Sequence, residues 1–249
     1  IAPAAAAAAA PALPAADDVL NKYIAALGGE AAMRKVTTRV ITATQDLPTG
    51  PGGTVPTAAT LQRSMKTPNL VVDVYKGERL STSSGFDGST AWARGQNGNV
   101  TSPPAASVDA ERAQRAAAFY EPLTLRQQYP TITVDGIATI NGRPAYVVTG
   151  TPAAGTPEKL YFDTQSGLLV RKWMYLVTAA GRSPFQVDYD DYRDSGSGVK
   201  MPFVIRTSPA GMRTELSTTS TLRVTSVKDN VPLDAAVFIK PQQLTRPAP

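Results

Sequence analysis

Apolar and polar residues alternate over most of this chain, most clearly from Glu158 to Arg206. Leu160 and Phe162 alternate with Lys159, Tyr161 and Asp163, which predicts a half-buried strand. Asp163 to Gly167 has turn chemistry: the Asp carboxylate can bond its own backbone, and Gly can take positive φ at the loop end. Beyond the turn, Leu168, Val170, Met174 and Leu176 are expected on one face with Lys172 as the odd member, and Leu169, Arg171, Trp173 and Tyr175 on the other. Further strands are expected near Phe185 to Tyr192 and from Val199 to Thr207, completing an antiparallel meander.

The same alternation predicts strands over Thr38 to Asp46, Thr57 to Lys66, Asn69 to Lys76, Glu78 to Phe86 and Thr90 to Arg94. Later come Ile132 to Ile140, Arg143 to Thr151 and a long strand from Met212 to Val227. Asn141-Gly142 is a two-residue hairpin signal. Helical periodicity shows in two main places. Asp17 to Leu27 carries Val19, Leu20, Tyr23, Ile24 and Leu27 on one stripe and stops at Gly28-Gly29, with a short helix over Glu30 to Lys35 behind it. Ser107 to Tyr120 has a thin face of small residues, a capping Ser107 and a Glu111 to Arg115 pair one turn apart; Pro122 is expected to end it, with at most a short turn over Leu123 to Gln128. The chain therefore reads as mainly β: an open, incompletely closed antiparallel β-barrel of about 11 strands, with two main α-helices plugging or flanking it. Sheets of this size curl toward closure.

Three regions follow from the composition along the chain. Residues 1–16 form an Ala/Pro-rich extended arm, with 11 Ala, 3 Pro and no charge. Residues 17–241 form one β domain, and 242–249 a Pro-rich tail. The arm buries too little to hold a fold of its own, since ordering costs about 1–2 kcal/mol per residue. Pro3, Pro11, Leu13 and Pro14 are therefore the candidate contacts of an arm docked on a partner. The start lacks Met and a charged leader segment, so an upstream portion is expected to have been cleaved or to precede it.

Composition narrows the chemistry. The chain has no Cys and no His, which removes disulfides, thiolate nucleophiles, Cys–Zn sites, c-type haem attachment, imidazole bases and the usual haem ligands. Without His a serine nucleophile would need a Lys base, and no such pairing is expected. Asp188, Asp190, Asp191 and Asp194 crowd one strand, but alternation splits them between faces, so a solvated, Arg-paired surface is expected over a Ca²⁺ loop. Paired carboxylates for glycoside hydrolysis lack a second acidic motif. The net charge of +5 is scattered, without a basic run or stripe, so nucleic acid is not an expected partner. The expectation is a protein with no catalytic residues, no metal and no cofactor.

The segment Ala16-Asp-Asp-Val-Leu-Asn-Lys-Tyr-Ile-Ala-Ala-Leu-Gly-Gly-Glu-Ala-Ala-Met-Arg-Lys-Val36 resembles the entry helix of the outer-membrane lipoprotein-sorting carriers. Tyr161 to Arg171, Asp190 to Asp194, Val199-Lys-Met-Pro-Phe203 and Phe238-Ile-Lys-Pro241 resemble that family in the same order, so the likeness spans about residues 16–241. It implies an incompletely closed barrel whose mouth is plugged by helices and which binds an acyl chain inside. By alternation the candidate lining is Leu160, Phe162, Val170, Phe203 and Ile205, residues that a packed core explains equally well. The Ala-Leu-Gly-Gly-Glu opening also resembles modules found with multihaem and photosynthetic reaction-centre cytochromes. Together with the missing His and Cys and the arm, this gives a first functional expectation: a non-catalytic accessory subunit, periplasmic and peripheral to the membrane. Its partners would be the reaction-centre, cytochrome or antenna subunits of an electron-transfer complex. The alternative expectation is a periplasmic lipid or lipoprotein carrier holding acyl chains in the barrel.

Overall fold

In the computed structural model, residues 12–47, 57–78, 80–105, 107–178, 181–210 and 219–243 are described. Thirteen strands form one antiparallel sheet: β1 (Thr38–Leu47), β2 (Thr57–Lys66), β3 (Leu70–Gly77), β4 (Leu80–Asp87), β5 (Ala91–Arg94), β6 (Val100–Thr101), β7 (Thr131–Ile140), β8 (Arg143–Thr151), β9 (Glu158–Asp163), β10 (Leu169–Thr178), β11 (Gly181–Asp194), β12 (Lys200–Pro209) and β13 (Ser220–Asp229). Their order is β6-β5-β4-β3-β2-β1-β13-β12-β11-β10-β9-β8-β7. First and last strands of the sequence thus meet in the middle, where β1 pairs with β13, while β6 and β7 are the edges of the sheet among the described residues. The sheet is an open barrel, as the alternation implied. The count exceeds the expected 11, partly because two-residue β6 is too short to leave a pattern. The last strand starts at Ser220 rather than Met212; 211–218 lie outside the described residues.

Helices α1 (Ala16–Ala26), α2 (Glu30–Arg34), α3 (Val108–Ala116) and α4 (Glu121–Gln128) accompany the sheet. Val19, Leu20 and Tyr23 of α1 are buried, together with Leu27 behind them, as the stripe required. They share the main core with Leu125 and Tyr129 at the α4 end and with Val148, Leu160, Phe162 and Leu169 of the sheet. Tyr23 and Phe162 stack at 5.1 Å between ring centroids. Each such side chain, fully buried, contributes about 1.5–3 kcal/mol.

Gly28 fixes where α1 ends. Its φ is +111°, and a Cβ there would lie 2.0 Å from the Gly198 carbonyl oxygen, so helix end and β11–β12 hairpin touch backbone to backbone. The Lys200 N–H completes the seam by donating to the Leu27 carbonyl at 2.8 Å.

The second helical segment differs from its sequence reading. It breaks after Ala116 and restarts at Glu121, with Pro122 inside the first turn of α4. Proline is tolerated there because its missing N–H would have no intrahelical acceptor anyway. Arg115 does not pair with Glu111; it turns inward to Glu158 at 3.1 Å.

A second, smaller core lies on the other face of the sheet. Val72, Trp92 and Phe238 pack there with Leu70, Val74, Val100 and Leu233, under a 3-10 turn at Ala235–Phe238. Val72, Gly85 and Trp92 are cross-strand neighbours, and a Cβ at Gly85 would sit 2.7 Å from the Trp92 ring.

Candidate functional site

The helices meet the sheet unevenly, and the gap is a cavity of about 200 Å³ at the barrel mouth. Tyr23, Leu27, Met33 and Val36 line it from α1, α2 and the chain behind them; Arg39, Arg63 and Met65 from β1 and β2. Ala116 to Pro122, without Ala117, come from the α3–α4 junction, and Leu169, Tyr189, Tyr192 and Val199 to Pro202 complete the wall. Three of the five Met residues, Met33, Met65 and Met201, are among them. Unbranched thioethers re-pack at little cost, which suits a wall that must fit a flexible apolar guest.

A second space lies next to it under α3. Arg63 and Ala116 also line a neighbouring space of about 190 Å³ with Asp73, Ala113 and Ala117. Phe86 and Ala91 are shared between that space and a more polar cleft of about 430 Å³ bounded by Ser89, Thr90, Ser107, Glu111 and Gln114. The small face of α3 leaves these spaces open, because alanines cover the sheet without filling it.

Polar groups at the mouth are mostly committed. Arg39 makes a two-pronged contact with Asp229, at 2.6 and 3.0 Å, and Asp229 also accepts from the Ser195 and Ser197 hydroxyls. Arg63 grips Asp73 through two 2.7 Å bonds. Tyr192 donates to the Leu169 carbonyl at 2.7 Å and Tyr120 to that of Val36 at 2.9 Å. Burial pushes the Tyr23, Tyr189 and Tyr192 hydroxyls well above the ordinary phenol value, so they stay neutral.

Beside the cavity lies a buried charged knot. Glu158, 5% exposed, accepts from the Tyr129 hydroxyl at 2.6 Å and pairs with Arg115 and Lys172, each at 3.1 Å. Lys172 also lies 3.8 Å from Glu121 of the cavity wall. Burial alone would raise the Glu158 carboxyl, but Lys172, the Tyr129 hydroxyl and Arg115 outweigh it and hold the group below the usual glutamate value.

The expected lining divides. Leu160 and Phe162 are almost fully buried in the main core. Val170 is not with them: it packs with Ile140, Ala145 and Tyr161 in a separate cluster. The cause is a bulge in β10. Leu169 pairs with Phe162 and Arg171 with Tyr161, so one extra residue flips the alternation and brings Lys172 opposite Leu160. Phe203 lies half-buried under the Arg193 guanidinium at 5.1 Å, and Ile205 pairs with Tyr189 of the cavity wall; none of the five expected residues itself lines the mouth cavity. Of the arm, Leu13 is 43% exposed and Pro14 half-buried, while Pro3 and Pro11 lie outside the described residues. The wall residues, none of them in the expected lining, come from α1, α2, β1, β2, the α3–α4 junction, Leu169, β11 and the β11–β12 hairpin. Their one signal was the run of small and aromatic residues from Ala116 to Tyr120.

The acidic strand behaves as a surface. Asp188 pairs with Arg171, Asp190 with Arg206 and Asp191 with Arg193, and Asp194 caps the turn by accepting from the Gly196 and Gly198 N–H groups. Among the described residues no group of acidic side chains could hold a metal ion. Ser197-Gly-Val-Lys200 does have Ser-x-x-Lys spacing, but the Ser197 hydroxyl bonds Asp229 and Ser195, not the lysine. It lies on a hairpin turn without a paired base. No described helix is long and apolar enough to cross a membrane.

No family model matches the sequence, and no curated protein does so either. Solved structures do match. A DUF1329 family protein from Desulfovibrio piger superposes with a TM-score of 0.61 at 10% identity, over 90% of this chain and 96% of that one. A LolA superfamily protein from Nitrosomonas europaea gives 0.59 at 13%, over 92% and 99%. A putative outer membrane lipoprotein-sorting protein domain from Vibrio parahaemolyticus gives 0.57 at 9%, over 88% and 97%. The chain therefore has the open-barrel fold of the lipoprotein-sorting domains. At these identities the likeness is one of fold.

Proposed function

We propose that this protein is a non-catalytic, periplasmic carrier that takes an acyl chain of a lipid or lipoprotein between its helices and the mouth of its open barrel. The observation that carries the reading is the Met-lined cavity, placed where four helical segments cover the sheet without filling it. The neighbouring spaces under α3 give a chain room to run on. At about 200 Å³ the mouth cavity is below the roughly 300–1,000 Å³ of drug-sized pockets, so it takes part of one chain rather than several. The lipoprotein-sorting neighbours support the same reading through their fold.

The accessory-subunit reading has less behind it. It depends on the absence of His and Cys, which the carrier reading shares, on the arm, whose residues up to Pro11 lie outside the described set, and on a resemblance confined to a short opening segment.

Native mass spectrometry of protein purified without detergent is the direct test. Acyl chains are expected on the wild type. In Met65→Trp, where a bulky ring enters the cavity wall, they are expected to be lost while the circular dichroism stays β-rich. A lipid-free wild type that also fails to take up a fluorescent fatty acid would sink the carrier reading.

A further inference from the structure

We infer that the carried molecule ends in an anionic headgroup, a carboxylate or phosphate ester, and that Lys200 at the cavity rim receives it. The inference rests on the carrier reading and narrows its ligand class. Its ground is how charge is distributed at the mouth. Three cations line the cavity, Arg39, Arg63 and Lys200, against one carboxylate, Glu121. Arg39 and Arg63 have their own aspartates, Asp229 and Asp73, which do not line the cavity. Glu121 has Lys172 behind it. Lys200 makes no ion pair among the described residues: the acid opposite it across the β11–β12 ladder, Asp194, accepts instead from the Gly196 and Gly198 N–H groups.

Lys200 is also held in place. Its N–H is tied to the Leu27 carbonyl, its neighbour Val199 is buried, and the Gly28–Gly198 contact fixes the hairpin on which both sit. Its backbone is thus fixed, and its exposed side chain belongs to the rim of a wall that also holds Met33, Met65 and Val36. This is the arrangement an amphiphile reads: chain against Met33, Met65 and Val36, charged end against the lysine. A headgroup carrying net positive charge would meet like charge here, and a neutral one would gain nothing from the rim.

The test compares three probes of one chain length on the full protein: dodecanoate, dodecyl phosphate and methyl dodecanoate, each displacing a fluorescent fatty acid. Both anions are expected to bind about tenfold more tightly than the ester, the scale of one hydrogen bond to a charged group. Rising salt should shrink that preference. Lys200→Gln should abolish it and leave the ester's affinity unchanged, while Lys76→Gln, an exposed lysine away from the mouth, should leave both unchanged. The two anions together separate a general anionic site from one built for carboxylate or phosphate alone. Equal affinity for acid and ester, or a preference that survives Lys200→Gln, overturns the headgroup assignment while the carrier reading stands. Failure of all three probes to bind overturns both.

Discussion

Glu158 is the shared acid of the buried charged knot. It is buried, and it compensates two cations, Arg115 from α3 and Lys172 from β10, while Tyr129 donates to it. Arg115 still has two buried N–H-bearing nitrogens, Nε and Nη1, without a partner. Removing the acid would leave two buried cations facing each other, and breaking a buried pair from one side costs about 3–5 kcal/mol. Glu158→Gln, which keeps the shape and removes the charge, is therefore expected to lower stability by that order in urea unfolding at neutral pH. A loss of less than about 1 kcal/mol would show that the knot is solvated. At this scale the sequence was partly legible. Lys172 stood out as a polar residue on an apolar face, but its partner did not, because the bulge that turns it toward Glu158 lies in the backbone at Leu169–Arg171 and leaves no mark in the alternation. The same bulge removed Val170 from the expected lining.

Elements were easier to read than the contacts between them. Asn141-Gly142 takes positive φ at both residues, +50° and +79°, as a tight hairpin with this pair requires. Asp163 accepts from the Gln165 and Ser166 N–H groups, and Gly167 closes the turn at φ +76°. What alternation could not supply was which elements share a face of the sheet. The closing Phe238-Ile-Lys-Pro241 was recognisable as a motif, yet nothing in it says that Phe238 crosses to the side away from the mouth and covers Trp92. Phe238 is 1% exposed, and truncating a buried Phe costs about 3–5 kcal/mol. Phe238→Ala should lower the melting temperature clearly while leaving acyl-chain affinity unchanged at temperatures where the protein is folded. Val72 alternates with Asp73, the partner of an arginine in the mouth wall, so the Phe238 cluster and the mouth cavity lie on opposite faces, and Trp92 alone of that cluster also borders the space under α3. A parallel loss of affinity in this variant would mean that the two faces are coupled.

For the whole molecule, one consequence of its composition becomes specific once the carboxylates are placed. Several are held below their ordinary values in the fold. Burial opposes the shift in Glu158, Asp163 and Asp229, and it is outweighed by Lys172 and Tyr129 for the first, by Ser166 bonds for the second, and by Arg39 and two serines for the third. Asp135 is lowered chiefly by the Thr149 and Thr133 hydroxyls. A carboxylate lowered on folding contributes stability that is fully present above its unfolded value and is lost as the pH falls through its folded value. With no His and no Cys in the sequence, no side chain of ordinary pKa changes charge between about pH 6 and 8. The melting temperature should therefore be level from about pH 6 to 8 and fall steadily below about pH 4.5, and Glu158→Gln should flatten part of that acid slope. Acyl-chain affinity should be level over the same neutral window, because no side chain of ordinary pKa changes charge there and the buried tyrosines of the cavity wall stay neutral. Differential scanning fluorimetry and fatty-acid displacement across pH 3 to 8 measure both. A step in stability or affinity between pH 6 and 8 would require a strongly shifted group that this arrangement does not contain among its described residues, and would count against the charge assignments made for the mouth.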